Sequence, residues 1–212
     1  MREQPVTRLD PRRARTRAAL ISAAQAFLAE DRTAVPILEI TETAGVGLGS
    51  FYNHFDSKEA LFEAAVEEII ENHGDLMDRV TEGIDDPAEV FARAFRLTGR
   101  LHRELAGASQ ILLRRGSDMI LSERGLGPRA LRDIKAAQAT GRFTITDPEL
   151  ALVAAGGAIL ALGALLHREP DRDAAKAADA LTADLLGMFG MDVVEAQEIC
   201  SRPLPDLGEL LG

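Results

Sequence analysis

The sequence predicts an all-α protein of about nine to ten helices, and three observations carry that prediction. Almost nothing alternates at the two-residue period of a strand, while apolar residues return every three or four positions along most of the chain. Hydrophobic residues make up 46% of the 212 but aromatic ones only 4%, the Ala/Leu-rich balance of a helical protein with a sizeable core. Proline follows aspartate at Asp10-Pro11, Asp86-Pro87 and Asp147-Pro148, each marking a helix start. The helices group into an N-terminal arm and three-helix head over 1–57 and a larger helical domain over 58–212.

Residues 1–9 read as a polar arm without the apolar stretch of a signal peptide. Helix 1 starts at Asp10-Pro11 and ends near Glu30, with Leu20, Ala24, Phe27 and Leu28 as its apolar stripe. Its first half carries Arg12, Arg13, Arg15 and Arg17, cations that oppose the helix dipole and call for an anion. A phosphate backbone would serve, so Arg13, Thr16 and Arg17 are candidate phosphate contacts, weighed against a plain solvated basic face. Pro36 opens a second helix that ends at Gly45, whose tolerance of positive φ suits a sharp corner plugged by Val46. A third helix, Leu48 to Phe55, turns Phe51 and Phe55 inward and leaves Leu48 and Tyr52 on one flank, Gly49 and Asn53 on the next. That uncharged outer face, with Ser50 and His54, suits a major groove. Glycine permits close approach, leucine can meet a thymine methyl, and the polar groups can bond base edges or phosphates. Asp56-Ser57-Lys58-Glu59 then reads as a capping box for helix 4, with Asp56 as the cap.

Helix 4 keeps its apolar spacing from Leu61 to Val80, long enough to leave the head and enter the next domain as a rigid connection. Gly83 and Asp85-Asp86-Pro87 break it. The helix from Pro87 carries Phe91, Phe95, Thr98, Leu101, His102 and Leu105 on one side. A run from Gln110 to Leu113 leads into a looser Gly- and Arg-rich region to Pro128, and a short helix over Ala130–Thr140 is closed by Gly141. Asp147-Pro148 starts an apolar helix that Glu169-Pro170 ends, and Asp171 or Asp173 starts its successor. Leu150 to Leu166 is uncharged for seventeen residues, at the short limit for a membrane span, but it is Ala/Gly-rich and flanked by charges, so burial against protein is the better reading. A short helix, Met191 to Cys200, and an extended end complete the chain.

The net charge is -10, yet residues 1–58 hold eight Lys/Arg against seven Asp/Glu, which leaves -11 to the remainder. An acidic body behind a slightly basic head orients the molecule head-first towards DNA. Cys200 is the single cysteine, which excludes an internal disulfide and suits a reducing cytoplasm. Histidines 54, 73, 102 and 167 show no metal-ligand spacing, and no phosphate-binding glycine loop is present, so no enzyme, no metal site and no cofactor is expected. Phe91, Phe95, Leu101, His102, Leu112 and Met119 can line a cavity for a mainly apolar small molecule, with a filled core as the alternative.

Ala44-Gly45-Val46, Gly49-Ser50-Phe51-Tyr52-Asn53-His54-Phe55 and Ser57-Lys58-Glu59-Ala60-Leu61 resemble the recognition segment of the tetracycline-repressor (TetR) family of one-component transcriptional regulators. The resemblance covers roughly Arg12 to Glu68. Gly47 and Leu48 stand where that family commonly has Ser-Lys, and Pro36 where a Thr often precedes helix 2. It implies a phosphate contact for Lys58, operator DNA as partner, a small-molecule effector and a homodimer. Small residues on the two helices after Asp147 let helix axes approach closely, and with the resemblance they assign the dimer interface to Leu152, Gly156, Ile159, Gly163, Ala178, Leu181 and Leu185, with an ordinary monomer core as the alternative. The expected function is that of a cytoplasmic repressor released from a palindromic operator by its effector, with no membrane partner. The alternative is a protein-protein adaptor that uses the helix-turn-helix as a packing unit.

Overall fold

The computed structural model describes residues 11–30, 32–115, 120–122 and 124–206, and among them it is all-helical, with ten helices. They are α1 (Pro11–Ala29), α2 (Ile37–Thr43), α3 (Leu48–Tyr52), α4 (Lys58–Thr81), α5 (Pro87–Glu104), α6 (Ala106–Arg115), α7 (Leu126–Ala139), α8 (Pro148–Arg168), α9 (Ala174–Met188) and α10 (Val193–Ser201). The chain divides into two compact units, Met1–Glu68 and Ile69–Gly212, with α4 contributing to both.

In the first unit α1 buries Leu20, Ile21, Ala24, Phe27 and Leu28, the shorter helices supply Ile40 and Phe51, and the turn after α3 adds Phe55. Gly45 takes φ +65°, which a side chain would strain, and the Val46 N–H closes the corner on the Thr41 carbonyl at 2.9 Å. The expected cap of α4 is corrected by one residue. The Ser57 hydroxyl, not Asp56, accepts the Ala60 N–H at 3.1 Å, because α4 begins at Lys58 and a cap reaches the third helical amide. Asp10, the expected cap of α1, lies outside the described residues.

The second unit is built around α5, which α7, α8 and α9 flank. Phe91 meets Phe143 and Phe189 edge-on, with centroids 5.8 and 5.6 Å apart. Gly99 lets α9 come close, since a Cβ there would stand 2.7 Å from the Ala178 methyl. The buried Arg96 donates to Asp179 at 2.8 Å and to the Arg202 carbonyl at 3.0 Å, tying the chain after α10 to α5. Asp86, Asp147, Asp173 and Asp192 cap α5, α8, α9 and α10, which decides between Asp171 and Asp173 in favour of the latter. α7 starts four residues before the expected Ala130. Gly125 at φ +77° supplies its entry, and a Cβ on it would strike the Ile70 side chain.

Length and composition alone would let α8 cross a membrane. Its Ala151, Leu152, Ala155, Leu162, Gly163 and Leu166 are buried within this chain, while Leu150 and Val153 are 66% and 44% exposed.

Candidate functional site

Two sites take shape, one in each unit. In the first, α3 is held from below by Phe51 and Phe55, both buried with centroids 6.1 Å apart. Tyr52 lies edge-on to Phe51 at 5.2 Å yet is 59% exposed, and Leu48 is 46% exposed. Gly49 and Asn53 are exposed, Ser50 and His54 half-buried. A Cβ on Gly47 or Gly49 would meet nothing within 4 Å, so the outer surface of α3 is open to close approach. α3 is shorter than expected, but the Phe55 N–H still bonds the Phe51 carbonyl at 3.0 Å, which carries the helical path to Phe55.

The basic side chains of α1 gather at the end of α3. Arg13 donates to the Asn53 carbonyl at 3.3 Å, and the Arg17 guanidinium sits 5.2 Å over the Phe55 ring. Burial first, and then the Arg13 and Arg17 charges, hold the His54 imidazole below its ordinary pKa and therefore neutral at pH 7, with one donor and one acceptor. The Thr16 hydroxyl already donates to the Arg12 carbonyl at 3.1 Å, so it must release that bond before it can donate to a phosphate. Lys58 donates one of its three ammonium protons to the Val35 carbonyl at 3.3 Å.

The second site is a cavity of about 120 Å³ between α4, α5, α7 and α8. Of the candidates named from sequence, Phe91, Phe95, His102 and Leu112 line it. Leu101 does not: it packs with Leu76, Met77, Val80 and Leu97 on another side of α5. Met119 lies outside the described residues. Most of the wall is apolar, including Ile120, Leu126, Ala130, Leu152, Ala155, Ile159 and Leu160. Polar residues enter the lining from α4 (Asp78 and Thr81), from α5 (Thr98) and from α7 (Arg129, Arg132 and Asp133).

The charged group is a network. Arg129 donates to Glu71 at 2.7 Å, Asp75 at 2.7 Å and Asp78 at 2.8 Å, and Arg132 bonds the other Asp78 oxygen at 2.8 Å and Asp133 at 2.9 Å. Burial pushes the Asp78 carboxyl up, but the two arginines outweigh it and leave it below the usual carboxylate range. Asp133 is pushed up by burial, only partly offset by Arg132. The cavity thus has mostly apolar walls with a carboxylate-arginine cluster on one side. The sequence reading missed this cluster.

The residues assigned from sequence to a dimer interface fall largely elsewhere. Leu152, Gly163, Ala178 and Leu185 are buried within the chain, Leu152 and Gly156 line the cavity, and Gly163 lies against the His102 ring. Ile159 also lines the cavity, and Leu181 packs half-buried on the core. Helical phase is the reason: the stripe at Leu150, Val153, Gly157, Ala161 and Ala164 faces outward instead, and Met188 of α9 is exposed with it.

Residues 86–202 match the family described as Tetracyclin repressor-like, C-terminal domain, and residues 20–65 match Bacterial regulatory proteins, tetR family. No curated protein matches the chain. The solved structure of RolR without ligand is 37% identical, covering 90% of this chain and 98% of that one, with a TM-score of 0.73. RolR in complex with resorcinol is 36% identical over 92% and 97%, with a TM-score of 0.65. SmeT, the repressor of the Stenotrophomonas maltophilia multidrug efflux pump SmeDEF, shares the fold at 21% identity over 89% and 97%, with a TM-score of 0.68.

Proposed function

The chain belongs to the TetR family of bacterial regulatory proteins and is a DNA-binding transcriptional regulator; on that footing we propose that it is a cytoplasmic repressor released from a palindromic operator when a single-ring phenol enters the cavity. Family members act as dimers, and two copies of α3 would read successive major grooves about 34 Å apart. We assign Leu48, Gly49, Ser50, Tyr52 and Asn53 to the bases, and Arg13, Arg17, His54 and Lys58 to the phosphates. Residues 1–57 serve as the reading domain and 58–212 as the effector and dimerisation domain. The outward stripe on α8 and Met188 on α9 form the dimer contact, in place of the residues first chosen from sequence. The adaptor alternative has no support from the comparisons.

The observation that carries the effector class is the cavity itself. Apolar cavities of roughly 150 Å³ accept benzene, so about 120 Å³ suits one six-membered ring. The Asp78–Arg129–Arg132–Asp133 cluster on its wall selects a ring that bears hydroxyls. RolR, more than a third identical, was solved with resorcinol. The deciding experiment is an electrophoretic shift with the DNA flanking this protein's own gene, repeated with resorcinol. A shifted band that resorcinol dissolves supports both halves of the reading. No shift removes the operator assignment, and a band indifferent to resorcinol and other phenols removes the effector class.

A further inference from the structure

Residues 33–57, which hold α2, the glycine corner and α3, contain no lysine or arginine. The commonest specific base contact, a guanidinium or ammonium on O6 and N7 of guanine, therefore has no donor on this segment. His54 is held neutral, and the arginines beside it, Arg13 and Arg17, belong to α1. Glu39 of α2 is itself paired with Arg32. What the segment offers instead is apolar surface. Among the described residues of the first unit, the large apolar side chains left exposed are Leu38 at 55%, Leu48 at 46% and Tyr52.

Leu48 opens α3 between Gly47 and Gly49, where an added Cβ would meet nothing within 4 Å, so a base pair can reach the leucine unobstructed. Leu38 lies in the first turn of α2, where its carbonyl accepts the Thr41 hydroxyl at 2.9 Å. The entrance of that turn is fastened to Lys58, which donates to the Val35 carbonyl at 3.3 Å. Lys58 is assigned to a phosphate, so Leu38 stands on the part of α2 next to the DNA backbone. The major groove presents one apolar group, the C5 methyl of thymine; the other bases present donors and acceptors there. A leucine pressed on those polar edges strips their water and returns no bond, whereas against a methyl it gains apolar burial. Leucine therefore selects for thymine and against the rest. Asn53, exposed on the neighbouring flank, suits adenine N6 and N7, so both contacts favour A·T pairs.

We propose that the reading head is a methyl reader: Leu48, with Leu38 as a second and previously unassigned contact, recognises thymine C5 methyl groups, and operator specificity rests on those methyls rather than on guanine. This rests on α3 being the element that enters the major groove.

The test uses the full-length protein and the DNA flanking its own gene, prepared once with thymine and once with uracil throughout. Uracil deletes the C5 methyl and leaves every hydrogen-bonding edge and phosphate in place. One buried methyl is worth about fourfold in affinity, and a dimer on two half-sites meets each position twice, so each leucine contributes roughly fifteenfold. In fluorescence anisotropy at one fixed salt concentration, wild type should bind the thymine form at least tenfold more tightly than the uracil form. Leu48→Ala and Leu38→Ala should each shrink that ratio, and the double variant should bring it within about twofold of one. Both side chains are half exposed, so the variants should keep the wild-type far-UV spectrum; if either fails to do so, the wild-type ratio alone decides. Wild type that binds both forms equally overturns the methyl reading and leaves the operator assignment standing. A ratio that survives in the double variant belongs to duplex shape and overturns the role of the leucines. Wild type that binds neither form overturns the operator assignment and this reading together.

Discussion

Gly163 on α8 packs directly against the His102 ring, and Gly163→Ala is the perturbation whose outcome the structure fixes most firmly. A Cβ at 163 would stand 2.6 Å from His102 Cε1, 2.7 Å from Nδ1 and 2.9 Å from Nε2, closer than real contacts allow. The ring cannot swing away freely, because Nδ1 is held by Ser109 at 2.6 Å. Overpacking of this kind costs about 1–3 kcal/mol and a lost hydrogen bond about 1 more. Alanine in a helix interior returns roughly 1 kcal/mol relative to glycine. The net is a destabilisation of about 2 kcal/mol, or roughly 4–8 °C in Tm for a chain of this size. With His102→Ala the obstacle is gone, and the same glycine substitution should then stabilise by about 1 kcal/mol through helix propensity alone. The reversal of sign, a coupling of about 3 kcal/mol, is read by a double-mutant cycle in urea unfolding at fixed protomer concentration. Equal costs on both backgrounds would refute the close approach of α8 to His102 as the cause.

Tyr52→Ala should weaken operator binding by about 1–3 kcal/mol in fluorescence anisotropy, with an unchanged far-UV spectrum because the ring is mostly exposed. Lys58→Ala should also lower the slope of log affinity against log salt by about one; an unchanged slope would make the bond to the Val35 carbonyl its whole role. Burial holds His73 and His102 near pKa 4, below the ordinary 6.5, so the unfolded chain binds more protons between those values. Stability should therefore be full above about pH 6.5 and fall as pH drops towards 4, with each histidine contributing a slope of up to about 1.4 kcal/mol per pH unit; replacing His73 and His102 by Phe should flatten that limb of a urea-pH series. Val153→Asp puts a charge on the outward stripe of α8 and should leave monomers in sedimentation equilibrium at micromolar concentration, where an intact dimer would remove α8 from the interface.

How much of this was legible in the sequence depended on whether a pattern had a unique phase. The reading head was legible because Phe51 and Phe55 repeat at helical spacing within a short, otherwise polar segment, and Gly45 marks the corner with φ +65°. The cap of α4 slipped by one because Asp56 and Ser57 are both cap residues and only the start of the helix chooses between them. α8 was recognisable as a helix, but it is apolar nearly all round, so composition could not say which stripe turns to α5 and which to the outside. That is why Leu152, Gly163, Ala178 and Leu185, expected at an interface, could equally be buried within the chain, as they are. The charged wall of the cavity was hidden for a different reason. Glu71, Asp75 and Asp78 recur at helical spacing and read as a solvated face, while Arg129, which gathers all three, lies more than fifty residues away. The spacing Arg129, Arg132, Asp133 on a helix that also buries Ile134 and Ala137 was the one available signal.

On the proposed reading, release of DNA by a ligand as small as a phenol sets an energetic demand that can be bounded. A hundredfold loss of operator affinity needs about 2.7 kcal/mol of differential effector affinity between the two conformations, since a ligand that binds both equally shifts nothing. Small ligands reach at most about 1.5 kcal/mol per heavy atom, so only a minor share of the binding energy has to discriminate. α4 carries both ends of the linkage on one helix: Leu61, Phe62 and Ala65 are buried in the first unit, and Met77, Asp78 and Thr81 line the cavity in the second. A phenol that re-seats Asp78 therefore acts on an element whose other end is packed in the reading head. Linkage makes the prediction reciprocal. Saturating operator DNA should weaken resorcinol binding by the same factor by which resorcinol weakens operator binding, and Asp78→Asn should reduce both factors together. A coupling that survives Asp78→Asn intact would place the switch outside α4.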